Sequence, residues 1–226
     1  MNIFYNFDYK FHNAVVVVGS FDGVHKGHRQ LIEELNSEAD RIEGDAVVIT
    51  FDPHPRDVFG RPNNLLTNIE ERIDMLEEAG VRNLVIVNFS LEFAAVSASE
   101  FATEYLRERI GAVCVFTGAG HTFGRNKEGE STQYSKFGLR EISIQRTLPI
   151  SSTMVRERVL KGDMLGACEL LGSKSGYLVI TPVVTPNKLL PPTFQQLECV
   201  VDGQKMSLTA KEIKEYNKEG KIYIQK

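Results

Sequence analysis

The sequence has few of the features that mark secreted or membrane-embedded proteins. Its three cysteines, Cys114, Cys168 and Cys199, have no paired spacing and no CxxC motif, so we expect neither a disulfide framework nor a zinc site. We predict that Cys114 and Cys168 are small apolar core residues. No segment approaches the roughly 20 apolar residues of a membrane span, and the N-terminal residues lack the apolar core of a signal peptide. These absences predict a reducing, cytoplasmic setting without membrane association.

A basic excess is missing as well. The net charge is −4 and the isoelectric point is about 5.8, which argues against general nucleic-acid binding but allows a local basic pocket for phosphates. We find no P-loop, no HExxH motif and no nucleophile elbow of a Ser–His–Asp hydrolase in the sequence. The 226 residues, 42% of them hydrophobic, suffice for one large α/β domain with a small appendage.

The first 172 residues alternate between β-branched runs and amphipathic segments. Helices are predicted from about His25 to Asp40, over 69–79, and after Ser97 or Ser99. The predicted strands are 14–18, 46–51, 83–87, 112–116 and 141–146. This alternation predicts an α/β fold with a Rossmann-like doubly wound parallel sheet, whose ligands bind at the carboxyl edge of the strands.

The character of the chain changes after Gly172. Residues 173–226 contain four prolines and short alternating runs at 197–201 and 221–224, which predict a small β-rich tail. The tail is too short for a large core of its own. We therefore divide the chain into a domain of residues 1–172 and an appendage of residues 173–226.

The segment Gly19–His28 (GSFDGVHKGH) follows the first predicted strand and leads into a predicted helix. Transfer of a nucleotidyl group requires stabilisation of negative charge on the α-phosphate and on the departing pyrophosphate. A helix N-terminus, the imidazoles of His25 and His28, and close approach of a ligand at Gly27 meet this requirement. The alternative is a pair of surface histidines at a helix start. The position between strand and helix favours a nucleotide-binding loop.

A second segment, Ser151–Arg156 (SSTMVR), opens an amphipathic stretch. Its hydroxyls could simply cap a helix. Together with the Arg156 guanidinium, one turn into the helix, the hydroxyls of Ser151, Ser152 and Thr153 could also hold the β- and γ-phosphates of a nucleotide. Both interpretations remain open from the residues alone.

Two further segments follow predicted strands. In TFDPHP (50–55), two prolines form a rigid turn that presents His54 in a fixed direction, although a single histidine in a turn is often only a surface residue. Residues 118–129 (GAGHTFGRNKEG) predict a flexible glycine-rich loop. Asp22, in the first segment, could orient a histidine or hold a metal-bound water. We expect Mg²⁺ to arrive with a nucleotide triphosphate and to need few protein ligands.

The four segments, in this order, resemble the adenylyltransferase module of bacterial FAD synthetases. The resemblance covers about residues 14–172. The HxGH and ISSTxxR patterns are shared with other nucleotidyltransferases, and the turn with Pro53-His54-Pro55 is similar to that of the flavin branch.

The resemblance implies the reaction FMN + ATP → FAD + pyrophosphate, with ATP and FMN as substrates, Mg²⁺ accompanying ATP, and FMN or FAD as the bound flavin. It implies catalytic roles for His25, His28 and Arg156. It also implies a nucleotide- and flavin-binding set that consists of Gly19, Ser20, Phe21, Asp22, Gly23, Gly27, His54, Pro55, Gly118, His121, Phe123, Ser151, Ser152 and Thr153.

The sequence departs from the family pattern in two places. The third motif of the family reads Gly-x-Asp/Asn-Phe-x-Phe-Gly, whereas Gly120 and His121 stand here at the Asp/Asn and Phe positions. Bifunctional members also continue into a riboflavin kinase barrel with a Pro-Thr-Ala-Asn motif, of which only Pro192-Thr193 has a counterpart. The resemblance therefore implies a tail that is a kinase remnant without kinase activity.

Three functions follow as alternatives. The first is an FMN adenylyltransferase. The second is an HxGH nucleotidyltransferase with a non-flavin acceptor, such as a mononucleotide, which the Gly120-His121 departure motivates. The third is a catalytically weak flavin- or nucleotide-binding regulator, against which the retention of both histidines and of the SSTxxR segment argues.

Overall fold

The computed structural model describes residues 1–61, 64–118, 120–144, 149–173, 175–183 and 187–225. Its strands are β1 (Asn2–Tyr5), β2 (Ala14–Val18), β3 (Ala46–Phe51), β4 (Asn83–Val87), β5 (Ala112–Gly118), β6 (Thr122–Phe123), β7 (Gly129–Glu130), β8 (Arg140–Ile144), β9 (Tyr177–Thr181), β10 (Gln196–Val201), β11 (Gln204–Thr209) and β12 (Gly220–Ile224). Its α-helices are α1 (Lys26–Arg41), α2 (Pro55–Val58), α3 (Ile69–Glu78), α4 (Leu91–Ala94), α5 (Ala98–Glu100), α6 (Ser152–Leu160), α7 (Met164–Leu171) and α8 (Ala210–Lys214). A π-helix covers Phe101–Ile110, and 3₁₀-helices cover Arg125–Lys127 and Ser131–Phe137.

The chain divides into two compact units. The first unit consists of Met1–Ser20, Arg29–Pro62 and Ala79–Thr147, and the second of Phe21–His28, Asn63–Glu78 and Leu148–Lys226. The domain boundary after Gly172 stays a prediction.

The first unit contains a six-stranded parallel sheet with the order β1-β4-β3-β2-β5-β8. From β2 the chain adds β3 and β4 on one side and then β5 and β8 on the other, so the strand order reverses beside β2. Such a reversal is the mark of a doubly wound sheet, and ligands of such sheets bind at the carboxyl ends of the strands next to it. The predicted α/β fold class is confirmed.

The central strands are apolar along their whole length because both faces of the sheet are buried. Val16 of β2 belongs to a core cluster with Val47, Val85 and Val115 of the neighbouring strands. Side chains alternate between the two faces of a strand, and the residues on either side of Val16 are buried as well. This explains why continuous runs, rather than alternating ones, predicted these strands.

Most of the predicted elements of the first unit lie where the sequence placed them. Ser97, rather than Ser99, caps α5, since its hydroxyl accepts a hydrogen bond from the Glu100 N–H at 3.1 Å. The short helix α4, between β4 and α5, was not predicted. The strand predicted over 141–146 is observed as Arg140–Ile144, and residues 145 and 146 lie outside the described part of the chain. The edge strand β1 was not predicted. Its residues alternate poorly because only one of them is even partly buried.

The second unit contains a four-stranded antiparallel sheet with the order β11-β10-β12-β9, together with α3, α6, α7 and α8. The predicted β-rich tail is thereby confirmed. Two of its strands match the alternating runs of the sequence, and β9 and β11 are additional.

The cysteines are free thiols. Cys114 is buried, as predicted, whereas Cys168 is only partly buried and its Sγ donates to the Ile224 carbonyl at 3.4 Å. Cys199 is also buried, and burial raises the pKa of the Cys114 and Cys199 thiols to about 11. Among the described helices, none is both long enough and apolar enough to cross a membrane.

Candidate active site

The second unit holds the two histidines of the HxGH segment side by side. The ring centroids of His25 and His28 are 3.7 Å apart with an angle of 14° between the ring planes, and the Phe21 ring lies 5.1 Å from that of His28. His25 directly precedes α1, and His28 is the third residue of the helix. Imidazole N–H groups at a helix N-terminus are donors of the kind that bind anions.

Gly27 lies between the two histidines in sequence and is close to the first. A Cβ atom added at Gly27 would lie 3.3 Å from Cε1 and Nδ1 of the His25 ring. A side chain at this position would therefore press on the imidazole. The sequence predicts that a ligand approaches Gly27 closely. In the structure, the absence of a side chain there also leaves room for the His25 ring.

The loop before the helix has an unusual backbone. Phe21 and Val24 have φ values of 48° and 38°, in the left-handed region that costs non-glycine residues energy, most of all a β-branched one. Such a conformation persists only where the surroundings impose it.

Asp22 supplies that constraint. It is buried, and its carboxylate accepts hydrogen bonds from the Thr67 N–H at 2.9 Å, the Thr67 hydroxyl at 3.1 Å and the Leu66 N–H at 3.2 Å. The Arg156 guanidinium forms an ion pair with the same carboxylate. With these partners, Asp22 anchors the loop.

The start of α6 lies in the same unit. Ser151 caps the helix, because its Oγ accepts from the Met154 N–H at 3.4 Å. The Ser152 hydroxyl donates to the Asp22 carbonyl at 2.8 Å, and Thr153 is exposed. The loop of Asp22 and the N-terminus of α6 are therefore hydrogen-bonded to each other through Ser152 and Arg156.

Arg156 has two partners inside this unit. Besides Asp22, it contacts the Asn64 carbonyl, to which its Nε donates at 2.8 Å. A guanidinium carries five N–H donors in a planar fork, so Arg156 can hold Asp22 and a phosphate oxygen together. Its assignment to the catalytic set stays a prediction.

The first unit carries the remaining predicted residues near the carboxyl ends of β2, β3 and β5. The Gly19 N–H donates to the Ile49 carbonyl at 3.0 Å, and the Ser20 carbonyl accepts from the Thr50 hydroxyl at 3.3 Å. Gly118 ends β5. Because these strands are parallel and adjacent, their ends lie at one edge of the sheet.

His54 is the N-cap of the short helix α2, which begins at Pro55. Its Nδ1 accepts a hydrogen bond from the Arg56 N–H at 3.1 Å. In the neutral ring the proton is then assigned to Nε2. The two prolines flank His54 in this turn, and the roles of His54 and Pro55 in the site stay predictions.

The glycine-rich segment is more regular than the flexible loop that the sequence predicted. Strands β6 and β7 pair as an antiparallel hairpin, Thr122 with Glu130 and Phe123 with Gly129. Phe123 is buried in the core cluster of the first unit, with its ring stacked on Tyr134 at 4.1 Å between centroids. Its predicted contact with the flavin stays untested.

His121 lies beside this stack, with 3.0 Å between its Nε2 and the Tyr134 hydroxyl. Burial lowers the pKa of the His121 imidazole, and the Glu141 carboxylate acts in the opposite direction. Burial also raises the pKa of the Tyr134 hydroxyl far above its usual range. His121 therefore bonds to a neutral phenol.

Several residues of the second unit were not expected from the sequence. Thr67 is the main partner of Asp22, and a buried ion pair joins Glu71 to Lys188 at 2.7 Å. Glu71 had one sequence signal, since the Asn68-x-x-Glu71 spacing is that of a helix capping box and both of its hydrogen bonds are present. Thr67 and Lys188 had none. Among the described residues, no group of three or more His, Cys, Asp or Glu side chains could hold a metal ion.

Comparison with known proteins identifies the family. The family model described as FAD synthetase matches residues 8–156, about two thirds of the chain. The chain belongs to the FAD synthetase family.

Named relatives of the family agree with this assignment. The chain is 31% identical over 169 residues to the bifunctional riboflavin kinase/FMN adenylyltransferase of Escherichia coli strain K12. This match covers 70% of the chain and 54% of the relative. It is 32% identical over 171 residues to the protein of the same name from Bacillus subtilis strain 168, and this match covers 70% of the chain and 53% of the relative. The chain thus matches about half the length of these relatives. The chain is also 31% identical over 166 residues to a relative from Geobacillus thermodenitrificans, and this match covers 89% of that relative.

A solved structure supports the fold over nearly the whole chain. The crystal structure of a macrolide-efflux protein from Streptococcus pneumoniae superposes with a TM-score of 0.77, covering 99% of this chain and 92% of that one. The sequence identity is 23%, a level at which the likeness concerns the fold alone.

Proposed function

We propose that the chain is an FMN adenylyltransferase that transfers AMP from ATP to FMN and releases pyrophosphate. The observation that carries the proposal is the stacked His25–His28 pair at the start of α1, in a loop that Asp22 anchors to the N-terminus of α6. Membership of the FAD synthetase family supports the choice of reaction.

In the proposed reaction, an oxygen of the FMN phosphate attacks the α-phosphorus of ATP in line with the bond to the β-phosphate. The new O–P bond forms as the bond to the bridging oxygen breaks, and pyrophosphate leaves with that electron pair. Negative charge grows on the α-phosphate oxygens and on the leaving group, so the protein acts by positioning and charge stabilisation rather than by covalent chemistry.

His25 and His28 are the donors to the α-phosphate in this proposal. Stacked at 3.7 Å, the two rings present their edges side by side, and the first-turn N–H groups of α1 add the positive end of the helix dipole. Because these donors are held before the substrate arrives, little reorganisation opposes the reaction.

The start of α6 is the proposed binding site for the β- and γ-phosphates. Ser151, Ser152 and Thr153 supply hydroxyls and backbone N–H groups, and Arg156 supplies a guanidinium. Mg²⁺ is proposed to enter bound to ATP, since it retains most of its waters and needs few protein ligands.

The first unit carries the other proposed contacts. Gly19 and Ser20 at the end of β2, and the 118–123 segment after β5, are proposed for the nucleotide and the flavin, while His54 and Pro55 are proposed for the flavin phosphate or ATP. Residues 173–226 are proposed to carry no riboflavin kinase activity, because the four antiparallel strands that the structure describes there do not make a closed barrel around a flavin.

The deciding experiment incubates the purified chain with FMN, ATP and Mg²⁺ and separates the flavins by chromatography with fluorescence detection. FAD and an equal amount of pyrophosphate are expected, and neither is expected when ATP is omitted. Riboflavin in place of FMN is expected to give neither FMN nor FAD. Absence of FAD under several metal conditions would reject the proposal.

Gly120 and His121 favour one competing function, an HxGH nucleotidyltransferase with a different acceptor. They stand where the family has a polar side chain and an aromatic ring, and His121 is here bonded to Tyr134. A screen of nucleoside triphosphates against small phosphates for pyrophosphate release would identify such an acceptor. Tight flavin binding without any pyrophosphate release would instead indicate a regulator.

A further inference from the structure

The tail of the second unit carries a buried charge, that of Lys188. The side chain of Lys188 is 1% exposed. Its ammonium donates to the Leu66 carbonyl at 2.6 Å, to Glu71 Oε2 at 2.7 Å and to the Leu178 carbonyl at 2.9 Å. It also lies 4.3 Å from the centre of the Tyr177 ring. All three N–H bonds of the ammonium are used, which is what a buried charge requires.

The Glu71 side chain is also buried, and its carboxylate accepts three hydrogen bonds. Besides Lys188, it accepts from the Asn68 N–H at 2.9 Å and from the Ile180 N–H at 2.9 Å. The pair therefore ties the start of α3 to β9. A buried ion pair of this kind seldom adds stability relative to apolar residues, so stability alone is a weak reason for its presence.

The segment 64–67 connects this pair to the candidate active site. The Leu66 carbonyl accepts from Lys188, while the Leu66 N–H donates to Asp22. Leu65 pairs with the tail on both sides of Lys188, through the Asn187 carbonyl at 2.8 Å and the Leu189 N–H at 2.8 Å. The tail thus bonds to the backbone of segment 64–67 at two consecutive residues, Leu65 and Leu66.

The same segment holds the loop of the histidines. Thr67 donates twice to the Asp22 carboxylate and accepts from the Gly23 N–H at 3.2 Å. The Asn64 carbonyl accepts from Arg156. A displacement of segment 64–67 would therefore move Asp22 and Arg156 together, and with Asp22 the strained backbone that leads to His25.

We propose that Lys188 is a positioning residue for adenylyl transfer, which acts by locking segment 64–67 under the Asp22–Arg156 pair and so fixing the loop of His25 and His28. The tail is then a support of the nucleotide site rather than only a remnant of another domain. The inference deepens the proposed function and rests on it for its kinetic readout.

The test uses the double variant K188M/E71Q, which removes both buried charges and retains side chains of similar length. Misplacement of reacting groups by about 1 Å can cost a hundredfold in rate, so we expect kcat/KM for ATP to fall by about tenfold to a hundredfold. The matched control is Lys221→Met. It breaks another tail-to-α3 ion pair, that of Lys221 with Asp74, and within the described part of the chain Lys221 has no hydrogen bond or ion pair with segment 64–67. We expect this control to stay within about twofold of wild type.

A second readout does not depend on activity. The chain has five histidines, and imidazole NMR resonances of the stacked pair sense the geometry of the two rings. In K188M/E71Q we expect the resonances of His25 and His28 to shift while those of His12 and His121 stay in place, and in Lys221→Met we expect none to shift. If the chain makes no FAD, this readout still decides the positioning role separately from the proposed function.

If the double variant does not fold, Thr67→Val tests the next link, because it removes the hydroxyl between Asp22 and Gly23 and keeps the Lys188–Glu71 pair. The same shifts and the same loss of kcat/KM are expected. A folded K188M/E71Q or Thr67→Val protein with unchanged His25 and His28 resonances and unchanged kcat/KM for ATP would overturn the inference.

Discussion

The rings of His25 and His28 are the pair of donors on which adenylyl transfer depends in the proposed mechanism. They are stacked at the start of one helix, and the loop that leads to them is held by a buried carboxylate. At the scale of single residues, the proposed function therefore depends on donors whose positions are set before substrate binds.

The first prediction concerns His28→Ala. Removing one donor to a developing negative charge typically lowers turnover by about a hundredfold or more, and the substitution should leave folding nearly unchanged because His28 is only partly buried. Steady-state FAD formation measures the effect, with circular dichroism as the check on folding. His12→Ala, at an exposed position, is the control and should retain full activity. An undiminished rate in His28→Ala would remove His28 from the catalytic set.

The second prediction concerns pH and His121. Burial lowers the pKa of this imidazole in the folded chain, while in the unfolded chain it is near 6.5. Below about pH 6.5 the unfolded state then binds more protons, so the free energy of unfolding falls as the pH falls, with a slope of at most about 1.4 kcal/mol per pH unit. Above that pH, the contribution of the neutral His121 imidazole to the free energy of unfolding no longer changes with pH.

Urea unfolding of wild type and His121→Phe between pH 5 and 7.5 tests this linkage. The variant should show a flatter dependence on pH, although its stability is lower by about 1–3 kcal/mol because the Tyr134 hydroxyl loses its partner. Tyr134→Phe, which keeps the imidazole, should retain the slope of wild type. Parallel curves for wild type and His121→Phe would show that another group titrates.

At the scale of elements, the hairpin of β6 and β7 shows how glycines shape the third motif. Gly120 and Gly124 both have a φ of 73°, where a non-glycine residue is strained. A Cβ atom added at Gly120 would meet nothing within 4 Å, whereas one at Gly124 would lie 2.5 Å from the backbone N and Cα of Ala98. Both positions carry a backbone cost. It is larger at Gly124, whose ψ of 178° places it in a region essentially confined to glycine, and the two positions also differ in packing.

Alanine at each position measures the combined difference in backbone cost and packing. Gly120→Ala should lower the free energy of unfolding by about 1 kcal/mol, the usual cost of a left-handed residue with a side chain. Gly124→Ala should lower it by about 3 kcal/mol or more, because a backbone cost of about 1–3 kcal/mol is added to roughly 1–3 kcal/mol for overpacking. Chemical denaturation of the two variants measures the difference. Equal losses would indicate that the backbone at both Gly124 and Ala98 adjusts readily.

At the scale of the whole molecule, ligand binding should raise the stability of the chain by mass action. A ligand at a hundred times its Kd adds about 2.7 kcal/mol, which for a chain of this size corresponds to a rise in Tm of roughly 5–10 °C. We expect such shifts with ATP and Mg²⁺, with FMN and with FAD. Riboflavin should shift Tm least, because it lacks the phosphate that the proposed site binds. A shift by riboflavin as large as that by FAD would contradict a phosphate-based site.

The sequence by itself determined the α/β fold, most of its strands and the position of the HxGH segment between a strand and a helix. These features have local signals: continuous β-branched runs predict strands buried on both faces, and their ends fix where the motifs lie. The strand β1 was missed because its alternation is weak, and the hairpin at 122–130 was missed because glycines also occur in irregular loops.

Only the tertiary structure decided what holds the candidate site in place. Asp22 pairs with Arg156, 134 residues further along the chain, and Glu71 pairs with Lys188 over 117 residues. No periodicity or spacing reports such pairs, because nothing in the neighbouring sequence specifies the partner of a buried charge. The folded chain brings them together, since a buried carboxylate or ammonium is stable only when its hydrogen bonds are satisfied.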